Sequence, residues 1–303
     1  MFKRIFIWLF SIMLISSCSP SGAVRETLAR VNPSPSPSPT AEPTPSPSPS
    51  PTPEPVEREG LDELKSQLSS YTQNLDGSWG IYVKNLKSGE YLSINEHEMY
   101  SASLIKLFIM GAVYNEIACG SITKDENVEN LLRLMITESD NNASNELCIM
   151  MGGGDALKGF EIENAHTRSI DCTYTKQQTD LQDNRANSIV EYIGRNYTSP
   201  RDCGHLLELV YKGKLVSESA SAEMLALLKD QHTLYKIPAG LPEGTVCANK
   251  TGEMSSVEND AAIIYSPACD YILTVMSNDA YNTDRSAAAI AEISRTVYAY
   301  FNP

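Results

Sequence analysis

The sequence predicts an α/β (α+β) domain whose sheet is interrupted by a helical insertion, and three observations carry that expectation. Short stretches of alternating polar and apolar residues occur near residue 80 and again after residue 245. Between them, from about Glu126 to Leu228, the apolar spacing is helical, and a further helical stretch lies at each end of the domain. A sheet begun by N-terminal strands and completed by C-terminal ones brings its two halves together beside the insertion, where clefts tend to form sites.

The chain opens Met-Phe-Lys-Arg, runs apolar from Ile5 to Ile15 but for Ser11, and reaches small residues before Cys18. A charged start, an apolar run too short to span a bilayer and a small-residue processing site make residues 1–17 an export signal. Ile15-Ser16-Ser17-Cys18 resembles a bacterial lipobox. That implies cleavage before Cys18, lipidation of Cys18, and a place at the outer face of the bacterial cell membrane. Residues 18–59 hold almost no large apolar side chains, and Pro largely alternates with Ser or Thr from Pro33 to Pro55. Such a spacer builds no core. As polyproline it extends on the order of 70 Å, at about 3.1 Å per residue, and would hold residues 60–303 off the membrane.

Within residues 60–303, Leu61, Leu64 and Leu68 recur at helical spacing, so a surface helix is expected first. "WGIYVKNL" and "EYLSINE" flank Lys87-Ser88-Gly89 and read as a β-hairpin. "LIKLFIMGAVYNEI" is too long and too continuously apolar for an edge strand and reads as a buried helix. "NVENLLRLMI", "SNELCIMM", "PRDCGHLLELVYKG" and "SASAEMLALLKD" supply the helical block. "TVCANKTG", "DAAIIYSP" and "YILTVMSND" return to strands, and "DRSAAAIAEISRTVYAYF" closes as a helix.

A formal charge of −14 and the lack of a basic stripe exclude nucleic acid as a partner. Cys119, Cys148, Cys172, Cys203, Cys247 and Cys269 show no CxxC spacing; outside the cell they could form disulfides or remain buried thiols, and no pairing can be read from them. His97, His166, His205 and His232 lack metal-ligand spacing, and Gly152-Gly153-Gly154 lacks the Gly-Lys-Ser/Thr of a phosphate loop, so no metal or cofactor is expected.

Ser103-Leu104-Ile105-Lys106 opens the buried helix. Ser103 has two readings there: a hydroxyl that caps the helix, or a nucleophile whose proton a burial-tuned Lys106, three residues on, could take. Ser121-Ile122-Thr123-Lys124 repeats the pattern but sits in a polar turn, where it reads as capping. Two triplets distinguish the first copy: Ser139-Asp140-Asn141 at the end of a helical stretch, and Lys250-Thr251-Gly252 at the end of a strand. Each is expected on the order of 0.05 times by composition in a chain of this length. SxxK, SDN and KTG in this order resemble the serine β-lactamase and penicillin-binding superfamily, and the overall layout resembles its class A β-lactamases. The resemblance covers about residues 60–303 and includes "TSPRD" at Thr198 to Asp202.

The resemblance implies an antiparallel sheet flanked by the N- and C-terminal helices, an all-helical subdomain and an active site between them, in a monomer. It implies that Ser103 forms an acyl-enzyme with Lys106 as base or relay, that Ser139 passes a proton to the leaving nitrogen, and that Asn141 holds the substrate amide. Lys250 would set the potential at Ser139, Thr251 would bind a substrate carboxylate beside Gly252, and the backbone N–H groups of Ser103 and Glu253 would form the oxyanion hole. The E-x-x-x-N loop segment of the family falls, by counting back from Pro200, on Asp183 and Asn187. Asp183 is one methylene shorter than Glu, which places a deacylating base about 1.5 Å short; a displacement of that size can cost on the order of a hundredfold. Gln182 and Asp180 lie nearby but off the family spacing. Two further departures are the short interval from Lys106 to Ser139, and Asn259 and Asp260 where many relatives carry a carboxylate-binding Arg. The implied activity is hydrolysis of β-lactams. A D-Ala-D-Ala peptidase or transpeptidase acting on peptidoglycan, or a penicillin-binding surface module without turnover, fits the same residues.

Overall fold

The computed structural model describes residues 60–182, 188–191 and 194–303. The expected signal, Cys18 and the spacer lie outside the described residues, as do Asp183 and Asn187.

Helix α1 (Asp62–Thr72) leads into strands β1 (Ser78–Asn85) and β2 (Tyr91–Ile94), which form the expected hairpin. A short strand β3 (Met99–Tyr100) and a 3₁₀ turn (Ala102–Leu104) precede α2 (Ile105–Ala118). Helices α3 (Glu126–Thr137), α4 (Asn141–Met151) and α5 (Ala156–Ser169) follow, then β4 (Tyr197–Thr198), α6 (Pro200–Tyr211) and α7 (Glu218–Lys229). Strands β5 (Cys247–Met254), β6 (Val257–Ile264) and β7 (Tyr271–Asn278) and helix α8 (Thr283–Phe301) complete the fold.

The main sheet runs β2-β1-β7-β6-β5 and every pairing in it is antiparallel. The N-terminal hairpin is zipped to the C-terminal strands by β1 and β7, from Ser78 opposite Asn278 to Asn85 opposite Tyr271. Alternation then divides the core. Ile81 and Val83 join Leu64, Leu68, Leu273, Val275, Ile290 and Val297 under α1 and α8. Tyr82 points the other way, toward Phe108, Leu206 and Leu207. Gly204 makes that second contact possible, because a Cβ there would lie 2.3 Å from the Tyr82 ring. Helix α2 runs through this second core, buried on all sides along most of its length.

Three expectations change. Ser103 does not cap α2: the chain enters through the 3₁₀ turn, and neither Ser101 nor Leu104, the residues that precede the two helical segments, makes a side-chain cap bond. Lys250-Thr251-Gly252 lies inside β5 rather than at its end, since the edge strand goes on to Met254. Helix α5 was hidden within the helix-and-loop span because its buried face includes Glu163, His166 and Thr167 in place of an apolar stripe. Cys148, Cys172 and Cys203 are buried free thiols.

Glu163 is fully buried, and burial pushes its carboxyl up to about 8, which the hydroxyl of Thr167, 2.9 Å away, only partly offsets. Its protonated form is therefore favoured by folding. That contribution is complete below the unfolded value near 4.5 and is lost as pH rises through about 8. Glu163→Gln is expected to flatten the stability profile between about pH 5 and pH 9, exceeding wild type by a few kcal/mol, in order of magnitude, at the alkaline end. Thermal unfolding against pH checks this; parallel profiles for the two proteins would refute it.

Candidate active site

The three sequence motifs converge. Ser103 sits in the middle of the 3₁₀ turn and Lys106 in the first turn of α2, and the tight 3₁₀ repeat favours contact at this three-residue spacing. Ser139 and Asp140 link α3 to α4, and Asp140 caps α4 by accepting from the Ala143 N–H. Two non-glycine residues here have left-handed backbone, Ala102 at φ 45° and Ser139 at φ 57°. Such conformations cost about 1–3 kcal/mol each and persist where surrounding contacts enforce them. Gly252 supplies one such contact: a Cβ on it would lie 2.9 Å from the Ser101 carbonyl oxygen and 3.1 Å from the Ser103 nitrogen, so only a bare backbone lets β5 lie against the turn.

Lys106 and Lys250 are both fully buried and meet at Ser139. Lys106 Nζ donates to the Ser139 carbonyl at 2.5 Å, to Ser139 Oγ at 3.2 Å and to Asn141 Oδ1 at 2.8 Å. Lys250 Nζ donates to Ser139 Oγ at 2.9 Å and to the Thr251 carbonyl at 2.9 Å. Burial, and then the neighbouring Lys106 ammonium, push Lys250 well below the ordinary lysine value, while Asp260 pulls the other way. Ser139 Oγ thus accepts two N–H groups, which uses both lone pairs and leaves its own proton to donate elsewhere. That is the arrangement of a proton relay.

Ser103, Asn141 and Glu253 line one cleft of about 440 Å³. Thr179, Asp180, Leu181 and Gln182 form another part of its wall, and Arg195 and Asn196 line it as well. Asn145 holds this wall: its Nδ2 donates to the Leu181 carbonyl and its Oδ1 accepts the Leu181 N–H, both at 2.8 Å. Asn196 Oδ1 accepts from the N–H groups of Gln178 and Thr179, and its own carbonyl accepts the Ser101 N–H. The Asp180 carboxylate is engaged within the loop by Ser188 Oγ at 2.5 Å, the Ile189 N–H at 2.8 Å and Thr179 Oγ1 at 3.2 Å. The Arg195 guanidinium lies 4.3 Å above the Tyr100 ring.

Asn259 and Asp260 are framework rather than substrate contacts. Asn259 Nδ2 donates to the carbonyls of Tyr100 and Ser101 and so supports the strand that leads to Ser103. Asp260 accepts from the Ile237 N–H and Asn249 Nδ2 in a site where burial pushes its carboxyl up to about 6. Against Gly252 and Glu253 the structure brings a different cation, the fully buried Lys236. Its Nζ lies 2.5 Å from Glu258 and 3.2 Å from Glu253.

Sequence reasoning missed Asn145, Arg195, Asn196 and Lys236. Asn145 alone left a signal, since it stands four residues after Asn141 on one helical face. Among the described residues, no group of three or more His, Cys, Asp or Glu could hold a metal ion.

A model of the beta-lactamase enzyme family matches residues 63–129 and 127–301. A beta-lactamase of Phocaeicola vulgatus is 30% identical over 183 residues, covering 56% of this chain and 55% of that protein. The Toho-1 beta-lactamase of Escherichia coli is 27% identical over 186 residues, covering 60% and 58%. The chain thus spans little more than half the length of these curated relatives. Among solved structures, PBP-A is similar at a TM-score of 0.70 and 26% identity, over 80% of this chain and 96% of that one. A point mutant of PBP-A, described as an acyl-enzyme complex with penicillin G, gives 0.68 and 25% over 80% and 97%. The TLA-1 extended-spectrum beta-lactamase shares the fold at 0.69 and 21%, over 81% and 100%.

Proposed function

We propose, since the chain belongs to the beta-lactamase enzyme family, that it is a class A serine hydrolase that forms an acyl-enzyme on Ser103 and hydrolyses β-lactams. The observation that carries this reading is the meeting of Lys106 and Lys250 on Ser139 Oγ, two residues before Asn141, which lines the same cleft as Ser103. In the proposed sequence Lys106 acts as a neutral amine: Ser103 Oγ attacks the lactam carbonyl while its proton passes to Lys106 Nζ. Lys106 then hands that proton to Ser139 Oγ as Ser139 delivers its own to the leaving nitrogen and the C–N bond breaks. The N–H groups of Ser103 and Glu253 hold the oxyanion, which typically lowers the barrier by a few kcal/mol. Asn141 holds the substrate amide, Thr251 the carboxylate, and Gly252 keeps the strand close enough for both. Asp183, assisted by Asn187, activates the water that releases the acyl group.

A second reading, a peptidase or transpeptidase acting on peptidoglycan peptides, or a penicillin-binding module without turnover, is favoured by one observation. Asp180, the carboxylate that the described part of the loop brings to the cleft, is fully engaged within the loop, so release rests on the shorter Asp183. The similarity to PBP-A accords with it.

The signal, Cys18 and the spacer complete the proposal: a monomeric lipoprotein at the outer face of the membrane, its domain held off by the Pro-rich segment. One experiment addresses both parts. Cells expressing the full chain are given labelled penicillin and then chased. The proposal expects a labelled band in the membrane fraction that loses its label on chase. A stable label supports the second reading, no label overturns the hydrolase, and a band in the soluble fraction overturns the lipoprotein.

A further inference from the structure

The cleft lies on the acyl side of Ser103. Asn141, assigned above to the substrate amide, is part of its lining, whereas Thr251, assigned to the carboxylate beside the leaving nitrogen, is not. The side chain that an acyl donor carries beyond its amide thus has this space of about 440 Å³ to enter. Which side chains it favours depends on the charge that the walls offer.

Among the described residues of the lining, Arg195 is the one cation. The fold holds its backbone and its side chain in place. The Arg195 carbonyl accepts from Gln178 Nε2 at 2.7 Å, and the next residue, Asn196, is fastened to Gln178, Thr179 and Ser101. The Arg195 guanidinium lies 4.3 Å from the centroid of the Tyr100 ring, and Tyr100 packs in turn on Tyr197, its partner across β3 and β4, with ring centroids 5.4 Å apart. A guanidinium over an aromatic ring is held there without spending its N–H groups. Among the described residues no carboxylate pairs with it. The two acids of the lining are engaged elsewhere, Asp180 by Ser188 Oγ and the Ile189 N–H, and Glu253 by the Tyr235 hydroxyl and Lys236. Arg195 is therefore a fixed cation with donors to spare, and a carboxylate is the group that its planar fork matches.

We propose that Arg195 is a specificity-determining residue that binds an anionic group on the acyl side chain of the donor, so that the site favours acyl donors with a carboxylate there. This rests on the acyl-serine reading above and specifies its substrate class. The carboxylate beside the leaving nitrogen stays with Thr251. A hydrogen bond between two charged groups in a partly desolvated cleft is worth about tenfold in rate.

Benzylpenicillin and carbenicillin provide the test, because they differ by one carboxylate on the side-chain carbon that bears the phenyl ring. The second-order rate at which each acylates Ser103 is read as the carbenicillin-to-benzylpenicillin ratio, from which general damage to the site cancels. Arg195→Gln is expected to lower that ratio about tenfold, and Arg195→Met serves where the Gln variant fails to fold. Arg201→Gln is the control: Arg201 also stands over a tyrosine ring, that of Tyr91, but outside the cleft lining, and its loss is expected to leave the ratio unchanged. A ratio unchanged or raised by removal of Arg195, or lowered equally by Arg201→Gln, overturns the proposal. Failure of benzylpenicillin to label Ser103 in wild type is a different result, and it overturns the acyl-serine reading together with this one.

Discussion

Lys106→Met slows acylation by penicillin roughly a thousandfold while leaving a folded protein, because the substitution removes a positioned proton acceptor without emptying the core. Met fills most of the buried lysine stem. What disappears is the Nζ that Ser139 O, Ser139 Oγ and Asn141 Oδ1 now share. Leaving those acceptors short of donors costs about 1–3 kcal/mol each in stability, a loss that thermal unfolding reads separately from the rate. Stopped-flow labelling of the variant checks the prediction. A rate within about tenfold of wild type would mean that Lys106 only holds the Ser139 backbone, with its left-handed φ, in place.

The second large effect lies in release of the acyl group. Asp183→Asn is expected to leave a burst of one equivalent of acyl-enzyme that then decays on the order of a hundredfold more slowly than in wild type. The case is made by the described residues that precede it in the sequence. Asn145 and Asn196 pin residues 178–181, and Asp180 spends its carboxylate on Ser188, Ile189 and Thr179. The pinned wall therefore cannot turn Asp180 into a base without breaking its own loop. Burst and steady-state rates measured on one sample separate the two steps, and equal release from both proteins would remove Asp183 from the mechanism.

How much of this was legible in the sequence depends on the range of the interaction concerned. The hairpin, the three C-terminal strands and helix α2 could be read because alternation and continuous apolarity are local signals. So could Ser103, Lys106, Ser139 and Lys250, whose motifs carry the resemblance, although Lys106 and Lys250 reach Ser139 only after folding. Helix α5 could not, because Glu163 and Thr167 stand where an apolar stripe would have announced it. Lys236 reads as a surface lysine until β5 and β6 bring Glu253 and Glu258 around it. Asn145 and Leu181 are 36 residues apart, and nothing local marks either as the clamp on the cleft wall. The reading of Ser103 as a helix cap failed because a 3₁₀ turn precedes α2 and holds Ser103 among the residues that line the cleft.

The account stands on covalent chemistry at Ser103, and the most direct measurement is the mass of the intact domain and of its peptides after brief exposure to benzylpenicillin. The account predicts a gain of one penicilloyl group on the peptide that contains Ser103, and no gain in Ser103→Ala. An adduct of the same mass that survives in Ser103→Ala, or a wild-type mass that never changes while the drug is consumed or left intact, would contradict it.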